Sequence, residues 1–484
     1  MFVEEIELLE ASSLYKTNTI RDAFEKLNGN FGMVITIVDN DNSLSGIVTD
    51  GDLRRSILKS YSLDHPLELV MNKNPVIIHE DDIKDKNNFD YLISQLEEHG
   101  VRGNTISKVM AIPVLDDQNK VLGLLTTEML HSFNEKKDID HKSNTKHKNP
   151  HVLIVGGAGY IGSVLAEMLL QIGWRVRVLD NLLYDQDSLS GFMQMDKFTF
   201  IQGDVCDLHT QVEAIKGIDC LVFLAEIVGD PSCKYVPQTS LKTNYLAVNS
   251  MATLCAHTNI NRFIYTSSCS VYGASYDSET MLNELSELNP VSHYGRMKIQ
   301  TEQILFNQLN PLFSPTILRL ATVFGYSYRP RFDLVINTFA KNAYFDGNLT
   351  IHGGDQWRPN VHVKDVARAI VKAIDSPLKK VRKEVFNVGG NSENYTINDI
   401  AEMTSKVFSG CKILIEDDKV DKRNYRVDSS KIRDTLDFEP EFTVLQGLNE
   451  LKKVFESGMI KEANDKKYSN IQFLMEKDIH EYQS

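Results

Sequence analysis

The run Val152-Leu153-Ile154-Val155 passes directly into Gly156-Gly157-Ala158-Gly159-Tyr160-Ile161-Gly162, and the apolar stretch Val164-Leu165-Ala166-Glu167-Met168-Leu169-Leu170 follows at once. Strand, glycine loop and helix in this order restrict the chain more than any other stretch does. Residues without side chains let backbone amides approach a pyrophosphate, and the helix after them points its positive N-terminus at the same anion. A bare glycine turn is the alternative, but it requires neither the strand before nor the helix after. Gly156, Gly159, Tyr160, Ile161 and Gly162 are therefore expected to line a dinucleotide. Asp180 closes the next apolar run, 18 positions after Gly162, with Asn181 beside it. A carboxylate there can bond both ribose hydroxyls and repels a 2′-phosphate, which selects NAD over NADP. Farther on, Gly203-Asp204-Val205 ends another strand; Asp204 is placed either to meet the adenine amino group or to cap a turn.

Short β-rich runs keep alternating with helical stretches after this point: Arg175–Leu179, Phe198–Ile201, Leu221–Leu224 and Phe263–Tyr265. Such alternation builds a parallel sheet covered on both faces. The fold class expected is α/β, a Rossmann-type doubly wound sheet with a smaller C-terminal substrate lobe, over residues 150–455. At 484 residues the chain exceeds one ordinary core and suggests about three units. The tail 456–484 is expected to end in a peripheral helix without chemistry.

A net charge of −14, with no basic block beyond a short lysine and histidine cluster near 136–148, argues against nucleic acid. The acidic start Met1-Phe2-Val3-Glu4-Glu5 and the lack of a long apolar run argue against secretion or a membrane span, so a cytoplasmic location is expected. Six scattered cysteines without a CxxC pair suit a reducing compartment and give no zinc set. His131, His141 and His147 are irregularly spaced and lack acidic or thiol partners, so no metal is expected there either.

Two related segments fill the N-terminal part. Val34-Ile35-Thr36-Ile37-Val38 leads to Gly46-Ile47-Val48-Thr49-Asp50-Gly51-Asp52, and Ala111-Ile112-Pro113-Val114-Leu115 leads to Gly123-Leu124-Leu125-Thr126. Each reads as a hairpin feeding a helix. This resembles an α+β tandem pair of cystathionine β-synthase-type (CBS) modules within residues 1–132, about 8–66 and 67–132, followed by a polar linker over 133–149. The resemblance implies that Thr49, Asp52 and Thr126 face an adenine nucleotide, although Met129 stands where the second copy's Asp belongs. Thr49 and Asp52 equally suit a plain helix cap. Tandem modules of this kind also pair, so a homodimer or higher homo-oligomer is expected.

Tyr294-Gly295-Arg296-Met297-Lys298 places a phenol and an ammonium four residues apart. On a helix they sit one above the other, so the ammonium can stabilise a phenolate that otherwise forms only near pH ~10. With Thr266-Ser267-Ser268-Cys269-Ser270-Val271-Tyr272-Gly273, Asn244, Arg319 through Gly325, Arg358 through Asp365 and Phe386-Asn387-Val388-Gly389-Gly390, the stretch 151–440 resembles the extended short-chain dehydrogenase/reductase family. Its members mostly act on nucleotide-diphosphate sugars. The resemblance implies Leu224, Ala225 and Asn244 at the cofactor, together with Tyr294 and Lys298. It also implies Ser268 on the sugar oxygen, Tyr294 as the base and Lys298 on the nicotinamide ribose. Arg358 and Arg423 match positions that hold the diphosphate, where an arginine fork suits phosphate oxygens. His362 and Asp365 are expected to brace the lobe.

The second chemical step depends on the two residues after Ser268. Nucleotide-sugar 4,6-dehydratases carry an acidic pair or an acid with a lysine there, whereas this chain has Cys269 and Ser270. Cys269 is expected to pack. A 4-epimerase needs only the Ser, Tyr and Lys, and this reading leads, with surface-polysaccharide synthesis as a fitting role. A 4-reductase, an atypical 4,6-dehydratase and a non-catalytic NAD-sensing protein are the alternatives. Two departures bear on the sugar: the long turn Phe324 through Asp333, and Glu226 where a small residue is usual beside the nicotinamide.

Overall fold

The computed structural model describes residues 13–28, 34–81, 111–126, 149–184, 187–258, 260–274, 280–308, 313–416 and 423–477. The chain divides into two compact units, residues 1–142 and 143–484. The linker expected over 133–149 lies outside the described residues except at position 149.

In the first unit, β1 (Ser13–Tyr15) runs parallel to β2 (Ile35–Val38), which pairs antiparallel with β3 (Leu44–Val48). The second sheet repeats this pattern: β4 (Ile78–His79) is parallel to β5 (Ala111–Leu115), which is antiparallel to β6 (Val121–Thr126). Even the pairing irregularity recurs, between Ile37 and Val38 and between Val114 and Leu115. Helices α1 (Ile20–Asn28) and α2 (Asp50–Leu58) complete the first copy, whose buried core includes Ile20, Ile35, Ile37, Val48 and Leu53.

The second unit is built on β7 (His151–Val155), β8 (Arg175–Asp180), β9 (Phe198–Gln202), β10 (Cys220–Phe223) and β11 (Arg262–Ser268). After the short β12 (Met281–Leu282) come β13 (Ser314–Leu320), β14 (Thr322–Phe324), β15 (Asn348–His352), β16 (Trp357–His362) and β17 (Glu384–Val388). Its main sheet is parallel throughout, in the order β17-β13-β11-β10-β7-β8-β9. Strand order reverses between β7 and β10, which opens a crevice at the carboxyl ends of these strands.

Alternation along each strand feeds two cores. Val152 and Ile154 face α3 (Tyr160–Gln171), while Leu153 and Val155 face α4 (Leu208–Ile215) and the later helix α6 (Ala247–His257). With both faces covered, the central strands β7 and β10 are buried at every position, which is why they read as nearly continuous apolar runs. Between α4 and α6 lies α5 (Asp230–Tyr235), and α7 (His293–Phe306) carries the Tyr-x3-Lys stretch. The lobe is packed from α8 (Val335–Phe345), α10 (Ile397–Val407) and α11 (Val444–Glu456), with α9 (Val363–Asp375) covering the sheet beside α3. His362 and Asp365 brace this lobe: the His362 imidazole is 2.9 Å from Glu450, and Asp365 accepts the backbone N–H groups of Glu441 and Phe442.

One buried cluster fixes α7 to the sheet. Glu302 accepts hydrogen bonds from Arg319 Nε at 3.1 Å, Arg319 Nη2 at 2.7 Å and Ser267 Oγ at 2.5 Å. Arg319 also donates to the Tyr272 hydroxyl, which donates to Asn387. Removing one partner of such a buried pair strands the other, so Glu302→Ala is expected to cost about 3–5 kcal/mol. Both tryptophans of the chain, Trp174 and Trp357, lie in this unit, so the loss is read as a lower denaturant midpoint by tryptophan fluorescence.

Candidate active site

Gly156 sits at φ 85°, and a Cβ there would come within 2.6 Å of the Ala225 backbone nitrogen. At Gly162 a Cβ would collide with the Gly156 carbonyl oxygen, so helix α3 closes onto the end of β7 only because Gly162 carries no side chain. Gly159 is the N-cap of α3 and supplies no side-chain cap, which leaves the first-turn N–H groups to an outside acceptor. The loop is thus a cradle of the size and polarity an anionic diphosphate requires. Tyr160 contributes its backbone there, because its hydroxyl is spent on the Gly325 carbonyl at 2.7 Å.

Asp180 accepts Ala158 N–H at 2.9 Å with one oxygen and Leu182 N–H at 2.8 Å with the other. Burial pushes its carboxyl up, and these two N–H groups oppose that. The residue therefore ties the glycine loop to the end of β8 while still presenting carboxylate oxygen to the crevice. Asp204 accepts Cys206 N–H at 2.8 Å, the turn-capping arrangement, and is exposed at the crevice rim.

One cavity of about 1750 Å³ gathers these elements. A pocket for one small molecule holds about 300–1,000 Å³, so this volume has room for two ligands. Gly156, Gly159, Tyr160, Ile161, Gly162, Asp180, Asn181, Asp204, Val205, Leu224 and Ala225 line it, and so do Ser268, Tyr294, Lys298, Arg358 and Arg423. Asn244 is not among the lining residues: its buried side chain accepts Ile227 N–H and donates to Ile227 C=O, both at 2.9 Å, which clamps the loop after β10.

Tyr294 stands in the first turn of α7, where Ser292 caps the helix and Asp230 accepts the His293 N–H. Lys298 lies one turn below, its Nζ 5.5 Å from the centre of the Tyr294 ring. Ser268 ends β11 and opens a tight turn in which its Oγ accepts Ser270 N–H at 3.1 Å. Beside it, the buried Ser270 Oγ has no hydrogen-bond partner among the described residues and faces the cavity. Cys269 points the other way, its buried thiol against the Arg319 carbonyl, and burial pushes its pKa far up. It packs, as its sequence context suggested.

Two features were not foreseen. Glu226 is paired with Lys298 at 2.5 Å, and both are almost fully buried. Burial pushes the carboxyl up and the ammonium down, and their mutual attraction opposes both shifts. The second feature corrects the expectation of a peripheral tail. Its helix α12 (Asn470–Glu476) lines the cavity through Asn470, Ile471, Phe473 and Leu474. Leu474 is fully buried in a cluster with Ile227, Cys233 and Val236, against which Tyr294 packs. Asp333 anchors this helix by accepting the Asn470 N–H at 2.9 Å. The spacing of Ile471, Leu474 and Met475 was the available signal, one apolar face of a short helix.

In the first unit, Thr49 and Asp52 close a reciprocal cap on α2, and the other Asp52 oxygen accepts Arg55 Nη2 at 2.6 Å. Thr126 ends β6, its side chain outside the described residues, as is Met129. No helix among the described residues is long and apolar enough to cross a membrane. Among them no group of three or more His, Cys, Asp or Glu side chains is arranged to hold a metal ion.

Comparison with known proteins agrees with this geometry. Residues 152–389 match the NAD dependent epimerase/dehydratase family, and residues 7–59 match the CBS domain. A UDP-glucuronate 4-epimerase of Thermodesulfobacterium geofontis is 26% identical over 62% of this chain and 94% of that enzyme. A dTDP-glucose 4,6-dehydratase of Streptomyces niveus is also 26% identical, over 62% of this chain and 90% of its own length. The crystal structure of UDP-glucuronic acid 4-epimerase from Bacillus cereus, in complex with UDP-glucuronic acid and NAD, superposes with a TM-score of 0.57 at 26% identity. That match covers 63% of this chain and 99% of the other. Residues 152–389 therefore belong to the NAD-dependent epimerase/dehydratase family of enzymes, joined in this chain to an N-terminal CBS domain.

Proposed function

We propose that this chain is a nucleotide-sugar epimerase that inverts a sugar carbon through a transient keto sugar. The observation that carries the reading is the meeting of Ser268, Tyr294 and Lys298 with the glycine loop on one cavity, while the two positions after Ser268 hold no carboxylate. The relatives that are UDP-sugar 4-epimerases support the substrate class.

Gly156, Gly159 and Gly162 with the α3 N-terminus are assigned to the NAD pyrophosphate, Asp180 to the adenosine ribose and Lys298 to the nicotinamide ribose. When bound, NAD supplies the acceptor, and later the donor, of the carbinol hydride. Tyr294 takes the proton of the sugar hydroxyl at its phenolic oxygen, with Ser268 Oγ holding the same oxygen in line. On return, Tyr294 gives that proton back to the alkoxide, now on the opposite face of the sugar. Burial and the Glu226 charge hold the Tyr294 phenol well above its ordinary range; Lys298, whose Nζ lies 5.5 Å from the centre of the ring, is assigned to stabilise the phenolate against this. Arg358, which lies on β16 and donates to the Arg423 carbonyl at 2.5 Å, is assigned with Arg423 to the sugar diphosphate.

A 4,6-dehydratase is the second reading, because such an enzyme is among the relatives. Cys269 faces away from the cavity and Ser270 supplies only a hydroxyl, so the acid that dehydration needs is missing at both positions. The N-terminal CBS unit is assigned to adenine-nucleotide sensing or to assembly of a homodimer or higher oligomer.

Incubation with UDP-, GDP-, CDP- and dTDP-sugars, followed by NMR of the products, is expected to show an inverted stereocentre with no net NADH; a 4-keto-6-deoxy product would instead establish dehydration. Tyr294→Phe is expected to lower kcat by about 10²–10⁴-fold, the ordinary worth of a general base. Gly162→Ala is expected to abolish NAD retention, measured as the absorbance of cofactor released from the denatured protein, since the added methyl lies against the Gly156 carbonyl.

A further inference from the structure

We propose that Glu226 is a positioning residue of the oxidation site: by sharing the Lys298 ammonium it fixes that side chain and withholds part of its field from Tyr294, so the phenol loses its proton only at higher pH. The proposal rests on the reading of Tyr294 as the base.

Glu226 lies three residues beyond the end of β10 and lines the cavity with Tyr294 and Lys298. Its Oε2 is 2.5 Å from Lys298 Nζ, and its Oε1 accepts the Tyr265 hydroxyl at 2.8 Å. Lys298 also donates to the Thr266 carbonyl at 2.5 Å, so two of its three N–H groups are committed within the protein. The ammonium is therefore held by a carboxylate below and a carbonyl beside it, 4.5 Å over the Tyr265 ring.

Other charged and titratable groups around Tyr294 do not explain the balance. Arg331, in the turn before α8, adds positive charge but is tied to Asp333 at 2.9 Å. Cys233 on α5 has its thiol pushed up to about 11 by burial and is neutral near pH 7. Tyr425 and Tyr265 are phenols, and the Tyr265 proton is committed to Glu226. Glu302, one turn beyond Lys298 on α7, is neutralised by Arg319. Asp230 accepts at the α7 N-terminus and is paired with Lys234. Glu226 is thus the carboxylate whose ion-pair partner is the lysine that serves the base.

The test is a tyrosinate absorbance titration of the intact chain. Subtracting the Tyr294→Phe titration isolates Tyr294, and the same difference is taken between Glu226→Gln and the double variant. Glu226→Gln is expected to move the ionisation of Tyr294 to lower pH by about one pH unit or more, the ordinary effect of removing a nearby like charge. Glu226→Asp keeps the charge and is expected to stay near the parent titration. Should Glu226→Gln fail to fold, Glu226→Ala carries the same expectation. A titration that does not move overturns the proposal. One that moves to higher pH also overturns it, because Glu226 would then serve only to keep Lys298 protonated. This readout needs neither substrate nor turnover: full activity of Tyr294→Phe would reject Tyr294 as the base, while the titration still judges the coupling between Glu226 and Tyr294.

Discussion

The closeness of Gly162 to Gly156 is the contact on which the second unit depends. A side chain at Gly162 would push α3 off the end of β7, and one at Gly156 would strike the Leu224 and Ala225 backbone after β10. With the methyl groups absent, the helix starts directly over the crevice between β7 and β10, and its uncapped N-terminus becomes part of the cavity wall. Asp180 extends the same constraint to the next strand by holding Ala158 N–H. One loop glycine, one helix glycine and one carboxylate thereby fix where an anion can sit, before any ligand is considered.

Helix α7 shows how a single face is used at three depths. Tyr294, Lys298 and Glu302 recur at intervals of four and lie along one stripe. The first reaches the cavity, the second is buried with Glu226, and the third is locked by Arg319 and Ser267. Because Ser267 precedes Ser268 and Arg319 holds Tyr272, the same cluster positions the turn that carries Ser268. The chemistry is placed from beneath, by a buried ion pair.

The cofactor cradle and the Tyr-x3-Lys stripe were legible in the sequence because each is local: a strand, a turn and a helix in order, or two residues one helical turn apart. Continuous apolar runs announced the doubly covered parallel sheet for the same reason. Asn244 was expected at the cofactor from the family resemblance, whereas its clamp on the Ile227 backbone depends on a contact 17 positions away that no spacing encodes. Glu226 was noticed only as an unusual residue, since its partner is 72 positions later in sequence. In the N-terminal unit the Thr49 and Asp52 pattern suited a cap and a ligand site equally, and the structure supplies the cap.

The tail extends the cavity wall beyond the matched region. The family match ends at residue 389, whereas Arg423, Tyr425, Lys467 and the α12 residues that line the cavity all lie beyond it. The matched region supplies the glycine loop, Tyr294 and Lys298, the parts to which the proposed oxidation is assigned. The wall opposite is assembled from the lobe and the tail, and Leu474 packs in the same cluster as Tyr294. Under the proposed function, a sugar approaching Tyr294 meets residues that lie beyond the matched region. Packing Tyr294 against the apolar cluster that holds Leu474 also strengthens the effect of each nearby charge. It is in this setting that one carboxylate, Glu226, is proposed to retune the Tyr294 and Lys298 pair through its contact with Lys298.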